Sequence, residues 1–170
     1  QIKLKDLPVF KLKDKGIPLD NICKFDTSKE EALFIEISSK LEGKELIFAT
    51  AQGLVKKTAY EEFITNVRQT QAIKLNDEDR LAAVKVLDEN TGYIIAVSDA
   101  NYVLKFPIDE VALMKKTAKG EKLMKLGKGE LIYNIYKDSE EDIKDCKGNV
   151  IDKDKLKDSH RADRGKIYNK

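Results

Sequence analysis

The chain consists mostly of short apolar runs that are bounded by turn-forming residues. The runs LIFATA (46–51) and LVKKT (54–58) flank a Gln-Gly pair, which is the pattern of a β-hairpin with a tight turn. The runs YIIAV (93–97) and YVLKF (102–106) predict a second hairpin in the same way. No window keeps apolar residues at helical spacing over a dozen positions, so we expect strands and no long helix.

Other segments complete this all-β pattern. The second hairpin turn contains Asn101, a residue type that tolerates positive φ, and a further turn is expected at Thr91-Gly92. Single helical turns are expected at residues 60–63 (YEEF) and, after Pro107, at residues 108–114. Further strands are expected at residues 22–25, 32–37, 72–75, 81–87, 123–126 and 131–136.

The two hairpin regions repeat one another. The segment IFATAQGLVKKTAYEEF (47–63) parallels IIAVSDANYVLKFPIDEV (94–111), with a strand, a turn, a strand and an acidic helical turn in each. A period of roughly 50 residues with about four short strands is typical of blades in a propeller-like array. Two full units and two partial ones, at residues 15–25 and 137–158, predict about three to four blades of four-stranded sheet in an open or partial disc.

The composition fits one highly charged domain. The chain has 170 residues, of which 41% are hydrophobic and 36% are charged, compared with about 25% charged in an average soluble domain. The 32 Lys and Arg residues nearly balance the 30 Asp and Glu residues, which leaves a net charge of +2. We expect a single domain over residues 1–170, in which residues 137–170 form either a degenerate blade or a mobile charged arm.

Several classes of function are not expected. The chain has 2 cysteines, far apart, which do not make a disulfide scaffold, and no apolar run approaches the ~18 residues of a membrane-spanning helix. A Ser-His-Asp triad at Ser159, His160 and Asp163 would lack a shaped pocket and an oxyanion donor. Cys and His residues are too few and too scattered for a zinc site, which needs about four ligands. We therefore expect no catalytic residue, metal or cofactor.

At this point the repeated unit resembles a known family. The order of motifs is similar to the C-terminal repeats of bacterial type IIA topoisomerase A subunits, those of DNA gyrase and topoisomerase IV. The most specific pieces are LIFATAQGLVKKTAYEEF (46–63) and AIKLNDEDRLAAVKVL (72–87), with the second hairpin region as another repeat. HRADRGK (160–166) resembles the Arg-Gly end of a third loop. The resemblance covers about residues 17–131 well and the flanks loosely.

The resemblance implies a β-pinwheel, a propeller-like disc whose blades exchange strands with their neighbours. It implies that DNA is bent or wrapped along a basic outer rim, while strand cleavage belongs to a catalytic tyrosine in another domain. This chain alone would then not be an enzyme, although the full protein would be part of an ATP-dependent topoisomerase. The implied partners are double-stranded DNA, the B (ATPase) subunit, and the rest of the A subunit, in the cytoplasm and with the nucleoid, with no membrane partner.

The sequence departs from the gyrase pattern in two respects. It lacks a run like Gln-Arg-Arg-Gly-Gly-Lys-Gly, and its nearest loops are residues 66–71 and 115–122. A topoisomerase IV-like or divergent gyrase-like protein therefore fits better. In addition, 170 residues are too few for a six-bladed disc, so we expect a truncated chain or a reduced, open disc.

The candidate DNA contacts are cations of the repeated loops. Equivalent loops at regular spacing on one rim would carry Lys and Arg along a curved duplex, where they would release condensed counterions without reading bases. One segment, residues 115–128, holds six Lys and one acid. The alternative is a propeller-like protein-interaction module, and a small-molecule enzyme is a third possibility. The candidates are Lys56, Lys57, Arg68, Lys74, Lys105, Lys115, Lys116, Lys119, Lys122 and Lys125, with Arg161, Arg164 and Lys166 as a second set.

Overall fold

Two predicted hairpins form the centres of two four-stranded antiparallel sheets in a computed structural model that describes residues 1–88 and 92–168. Residues 89–91 and 169–170 lie outside this description, and with them half of the expected Thr91-Gly92 turn and the end of the 137–170 segment. The strands are β1 (Glu45–Thr50), β2 (Leu54–Ala59), β3 (Leu81–Leu87), β4 (Tyr93–Ser98), β5 (Tyr102–Pro107), β6 (Glu121–Lys122), β7 (Ile132–Lys137) and β8 (Lys166–Ile167).

The remaining regular elements are single turns of 3-10 helix. Two of them follow the hairpins, as the sequence predicts, and the one after Pro107 ends at Glu110 rather than at residue 114. None of the helices within residues 1–88 and 92–168 is long and apolar enough to cross a bilayer. The turns are Leu4–Asp6, Leu19–Asn21, Ser38–Lys40, Tyr60–Phe63, Ile108–Glu110 and Lys153–Lys155.

The two sheets have equivalent strand orders, and they exchange strands. The first sheet runs β3-β1-β2-β6 and the second runs β7-β4-β5-β8. Strand β6 follows β5 in the chain but pairs with β2, so the second unit completes the first sheet. The implied pinwheel architecture and its strand exchange are therefore confirmed. The described residues complete two four-stranded sheets, and these two sheets correspond to the two full units of the sequence.

The hairpin turns are equivalent in their hydrogen bonding. In the first turn, the Leu54 amide donates to Thr50 Oγ1 at 3.0 Å, and in the second the Tyr102 amide donates to Ser98 Oγ at 3.1 Å. Asn101 has a φ of 62°, as predicted for this position. These bonds satisfy buried hydroxyl groups and fix the register of each hairpin.

The main core lies between the two sheets and draws on both. Ile47 of β1, Ile94 of β4 and Phe106 of β5 belong to one buried cluster, together with Leu123 and Met124. Because strands β1 and β4 are covered on both faces, they are apolar along most of their length and lack strict alternation. Strands β3 and β7 contact one another, which leaves β6 and β8 at the opposite edges of their sheets.

Four of the expected strands are wrong. Residues 22–25, 32–37, 72–75 and 123–126 have no strand structure. The run at 32–37 is exposed, with Ile35 at 77%, so alternation of apolar residues there does not reflect a half-buried sheet. Short apolar runs also occur in buried loops, and Ile73 and Leu123 fill the core in that way.

The segment after β7 packs on the second sheet. Ile143 and Ile151 are buried in a cluster with Ile95 and Val97 of β4, and the tight turn around Gly148 closes an isolated antiparallel bridge between Lys144 and Val150. Strand β8 pairs with β5 and completes the second sheet.

Candidate nucleic-acid interface

Three equivalent loops carry most of the predicted cations. We name them loop A (residues 66–75), loop B (residues 115–125) and loop C (residues 160–167). Loop B precedes and includes β6, and loop C precedes and includes β8, so both lie at the sheet edges that face away from β3 and β7.

A glycine brings each of loops B and C against a central strand. Gly120 and Gly165 have φ values of 98° and 74°, a region that favours glycine. A Cβ atom on either would lie 2.7 Å from a carbonyl oxygen, that of Val55 or that of Val103. The two loops therefore approach their strands in the same way, through a glycine directly before the edge strand.

Backbone hydrogen bonds join the three loops in series. The amide of Lys74 in loop A donates to the carbonyl oxygen of Ala118 in loop B at 3.2 Å. The amide of Lys125 in loop B donates to the carbonyl oxygen of Asp163 in loop C at 2.8 Å. Because these bonds occupy equivalent positions in the repeat, the loops lie side by side in chain order.

The exposed cations of these loops form the candidate interface. Lys119 donates to Asn76 Oδ1 at 2.8 Å, and Arg68 lies 4.0 Å from Asp6. Apart from Arg68, the exposed candidate cations form no ion pair within the part of the chain that the structure describes. Lys128, in the turn that follows loop B, is also exposed and was not among the candidates, although the lysine count of its segment could have drawn attention to it. The exposed candidates are Arg68, Lys74, Lys115, Lys119, Lys122, Lys125 and Lys166.

Lys56 and Lys57 do not lie on this surface. The side chain of Lys56 is 0% exposed, and its Nζ donates to the carbonyl oxygens of Lys115 and Lys116 at 2.9 and 2.8 Å. Burial lowers the pKa of the Lys56 ammonium to about 8, against the opposing charge of Glu62. Lys57 is also buried and forms an ion pair with Glu45 at 3.2 Å.

Lys105 and Lys116 are half-buried and engaged within the protein. The Lys105 ammonium lies 2.9 Å from Asp158 and 4.5 Å from the centre of the Tyr93 ring. Lys116 donates to the carbonyl oxygen of Glu62 at 2.9 Å, which ties loop B to the helical turn after β2.

Arg161 attaches loop C to the protein at the position that corresponds to Lys116 of loop B. Its guanidinium donates to the carbonyl oxygens of Glu110 and Lys122 at 2.8 and 2.6 Å, and it pairs with Glu121 at 3.1 Å. Since Glu110 is the repeat equivalent of Glu62, Arg161 performs in loop C the contact that Lys116 performs in loop B.

Arg164 is the second anchor of loop C. Its guanidinium stacks over the Tyr102 ring at 3.4 Å and pairs with Glu130 at 2.7 Å. The Glu130 side chain is only 5% exposed. Burial opposes ionisation of this carboxyl, but hydrogen bonds from Arg164, Ser98 and the Gly127 amide hold its pKa below the usual value.

His160 is exposed and does not form the triad weighed in the sequence. Its Nδ1 lies 2.8 Å from Glu110, and this hydrogen bond raises the pKa of the imidazole. Asp163 accepts a bond from the His160 backbone amide, not from the ring. Across residues 1–88 and 92–168, the His, Cys, Asp and Glu side chains form no group of three or more that could hold a metal ion.

Comparison with known proteins places this geometry in a family. The chain matches the family described as DNA gyrase C-terminal domain, beta-propeller, over residues 44–88 and 92–135. It is 27% identical to the A subunit of DNA gyrase from Helicobacter pylori over 138 residues, covering 78% of this chain and 17% of that protein. It is 29% identical to the Salmonella typhimurium protein of the same name, covering 79% and 15% respectively. The chain thus spans less than a fifth of the length of these relatives.

Solved structures show the same fold. The C-terminal domain of DNA topoisomerase IV superimposes with a TM-score of 0.81 at 24% identity, covering 96% of this chain and 53% of that one. The E. coli ParC C-terminal domain gives 0.65 at 14% identity, covering 92% and 67%. The DNA gyrase A C-terminal domain gives 0.61 at 24% identity, covering 75% and 42%.

Proposed function

The chain belongs to the family of DNA gyrase C-terminal domains, and from this premise we propose that it binds and bends duplex DNA as a non-catalytic part of a type IIA topoisomerase A subunit. Its partners in that role are the duplex, the B (ATPase) subunit, and the rest of the A subunit. Strand cleavage would take place in another domain, and this part of the chain would need no cofactor.

The serial joining of loops A, B and C is the observation that carries the proposal. The bonds from Lys74 to Ala118 and from Lys125 to Asp163 align three loops, each of which exposes at least one Lys or Arg. Loop B exposes four lysines and is the most basic of the three. A duplex presents closely spaced phosphates, and cations that follow its path gain affinity through counterion release. A row of loops that lies along the outer sheet edges therefore supports a phosphate-contacting rim.

We assign the candidates to two roles according to their exposure and their partners. The exposed cations of the three loops are the proposed phosphate contacts. The candidates that bond to groups of the protein have the proposed role of shaping the rim, and these are Lys56, Lys57, Lys105, Lys116, Arg161 and Arg164. Contacts with phosphates position the duplex without reading bases, so any sequence preference would come from DNA deformability.

Binding of a fluorescent 40-base-pair duplex, followed by anisotropy across a salt series, tests the proposal. Replacing Lys115, Lys122 and Lys125 together with Ala should weaken binding equally for unrelated sequences. The slope of log K against log salt should become shallower by about 2 to 3 units, since each phosphate contact contributes about 0.9.

A matched control removes the same charge elsewhere. Lys13, Lys15 and Lys24 are exposed in the N-terminal segment and form no ion pair within the described residues. Their replacement with Ala should leave the salt slope within about half a unit. If the wild-type chain does not bind duplex at low salt, or binds with no salt dependence, DNA binding is refuted and the protein-interaction alternative is favoured.

Bending is tested separately, with donor and acceptor dyes at the two ends of the duplex. The wild-type chain should raise energy transfer between them at saturating protein. Unchanged transfer despite saturation would retain DNA binding and eliminate bending.

A further inference from the structure

We propose that Lys56 is a positioning residue for DNA binding, whose internal ammonium group fixes the backbone of loop B so that the loop's exposed lysines face the duplex. This inference rests on the proposed function. It assigns to Lys56 a part in DNA binding without any contact with DNA.

The contact geometry excludes a direct phosphate contact. Lys56 lies on β2, a central strand, and its side chain is fully buried. Its Nζ bridges the carbonyl oxygens of Lys115 and Lys116, about 60 positions later in the chain, and lies 5.5 Å from the centre of the Phe48 ring. The ammonium therefore faces the inner side of the loop whose outer side carries Lys115.

The backbone of the neighbouring residue strengthens the same attachment. The Lys57 amide donates to the Ala112 carbonyl oxygen at 3.1 Å, and the Met114 amide donates to the Lys57 carbonyl oxygen at 2.8 Å. These two bonds hold the chain entering loop B against β2. The bonds from the Lys56 side chain extend this attachment to Lys115 and Lys116, where the exposed lysines of loop B begin.

Burying an ammonium group is costly, and the cost has to be offset by specific bonds. An amine without water loses solvation, which is why the pKa of Lys56 falls to about 8. Hydrogen bonds from a charged donor are about twice as strong as neutral ones, and two carbonyl acceptors at 2.8 to 2.9 Å use that strength. A leucine at position 56 would pack in the core without this cost. We therefore infer that the amine stabilises the conformation of loop B and is not needed for packing of the core.

The second sheet provides an internal comparison. The repeat equivalent of Lys56 is Leu104, which is buried in the core between the sheets. There, loop C takes its anchoring from outside, through Arg161 and Arg164. The same sheet position is therefore compatible with an apolar side chain. Of loops B and C, only loop B is bonded by a buried amine from this position.

Amide hydrogen exchange on the full chain tests the anchor directly. Lys56→Met keeps the length of the side chain and removes its donors. Protection of the Ala118 amide, which donates to Lys115, and of the Lys74 amide, which donates to Ala118, should fall at least tenfold. The Ser159 and Tyr168 amides, which bind β5 and its turn, should change less than twofold.

Duplex affinity then tests the consequence for binding. Lys56→Met should weaken binding about five- to tenfold at fixed low salt. In a chain that already carries Lys115, Lys119, Lys122 and Lys125 replaced by Ala, the same change should have less than a twofold effect, because loop B then has no exposed lysine to orient. Leu104→Met is the matched control in the second sheet and should leave affinity unchanged.

The possible outcomes separate the two proposals. Unchanged loop B protection, or additive losses in the two backgrounds, would overturn the positioning role. Loss of protection in a chain whose wild type does not bind DNA would show the anchor but refute its role in binding, together with the proposed function. If Lys56→Met does not fold, Lys56→Leu repeats the test with the residue that the second sheet already accommodates.

Discussion

The two sheets have the same plan but attach their outer loops by different chemistry. In the first, a buried lysine reaches outward from β2 to the backbone of loop B. In the second, Leu104 fills that place, and Arg161 and Arg164 of loop C reach inward to Glu121 and Glu130. Each loop also has an equivalent anchor of its own, Lys116 in loop B and Arg161 in loop C, so the sheets differ in the additional anchor, which is Lys56 of β2 in the first and Arg164 of loop C in the second.

This difference has a physical consequence for how each loop responds to its surroundings. The bonds of Lys56 are enclosed, and salt screens enclosed charges little. The arginine anchors of loop C are partly exposed, although Glu130 is buried. The anchors that differ between the loops should therefore depend on the ionisation of carboxylates in loop C and on the ionisation of the Lys56 amine in loop B.

The largest expected effect is the loss of the anchor of loop C. Arg164→Met leaves the buried carboxylate of Glu130 without its cation, which should destabilise the fold by about 3 kcal/mol in urea unfolding. The double variant with Glu130→Gln should recover part of this loss. A change below about 1 kcal/mol would show that the two loops do not differ in anchoring as proposed.

The next effect should be equal in the two sheets, since it concerns a shared feature. Gly120→Ala and Gly165→Ala each place a Cβ 2.7 Å from a carbonyl oxygen at positive φ. Each should cost about 2 kcal/mol or more in the same unfolding measurement. Gly129→Ala is the control, since it has a φ of 75° but nothing within 4 Å of the added Cβ, and it should cost about 1 kcal/mol. Unequal costs at 120 and 165 would break the equivalence of the loops.

The effect that should be smallest over any one pH unit is a pH dependence confined to the first sheet. The pKa of Lys56 is about 8 in the folded chain and near 10.5 when unfolded, so the unfolded state binds more protons between these values. Stability should therefore rise from about pH 8 to pH 10.5, by at most about 1.4 kcal/mol per pH unit from this group. The difference between the wild type and Lys56→Met isolates this contribution, and it should be absent between the wild type and Leu104→Met. If the difference in unfolding free energy between the wild type and Lys56→Met did not change with pH, the Lys56 ammonium would be hydrated and its pKa would not be lowered by burial.

Local sequence patterns predicted the hairpins because their determinants are close in the chain. The turn residues, the apolar runs on either side and the 48-residue offset from residue 45 to residue 93 need no knowledge of distant contacts. The same approach failed at residues 32–37, where alternation of apolar and polar residues occurs without a neighbouring strand among the described residues. A strand requires a partner, and a local pattern does not supply one.

The roles of the cations were predicted less well, because burial is decided by distant segments. Consecutive lysines suggest a solvated surface, yet Lys56 and Lys57 are both buried because β2 is a central strand covered on both faces. One signal was present in the repeat alignment, since Lys56 corresponds to Leu104 of the second unit. An apolar residue at the equivalent position indicates an inward-facing site.

The sequence by itself determined the repeat, the two hairpins, the strand exchange that the family resemblance implies, and the loops in which cations are concentrated. Tertiary structure decided which of those cations are free to meet a phosphate, since a charge is available only where no carbonyl or carboxylate of the protein already satisfies it. Such partners come from segments 34 to 60 residues away, as the bonds of Lys56, Arg161 and Arg164 show. Periodicity within the chain therefore specifies the scaffold, while contacts across the repeat specify the surface.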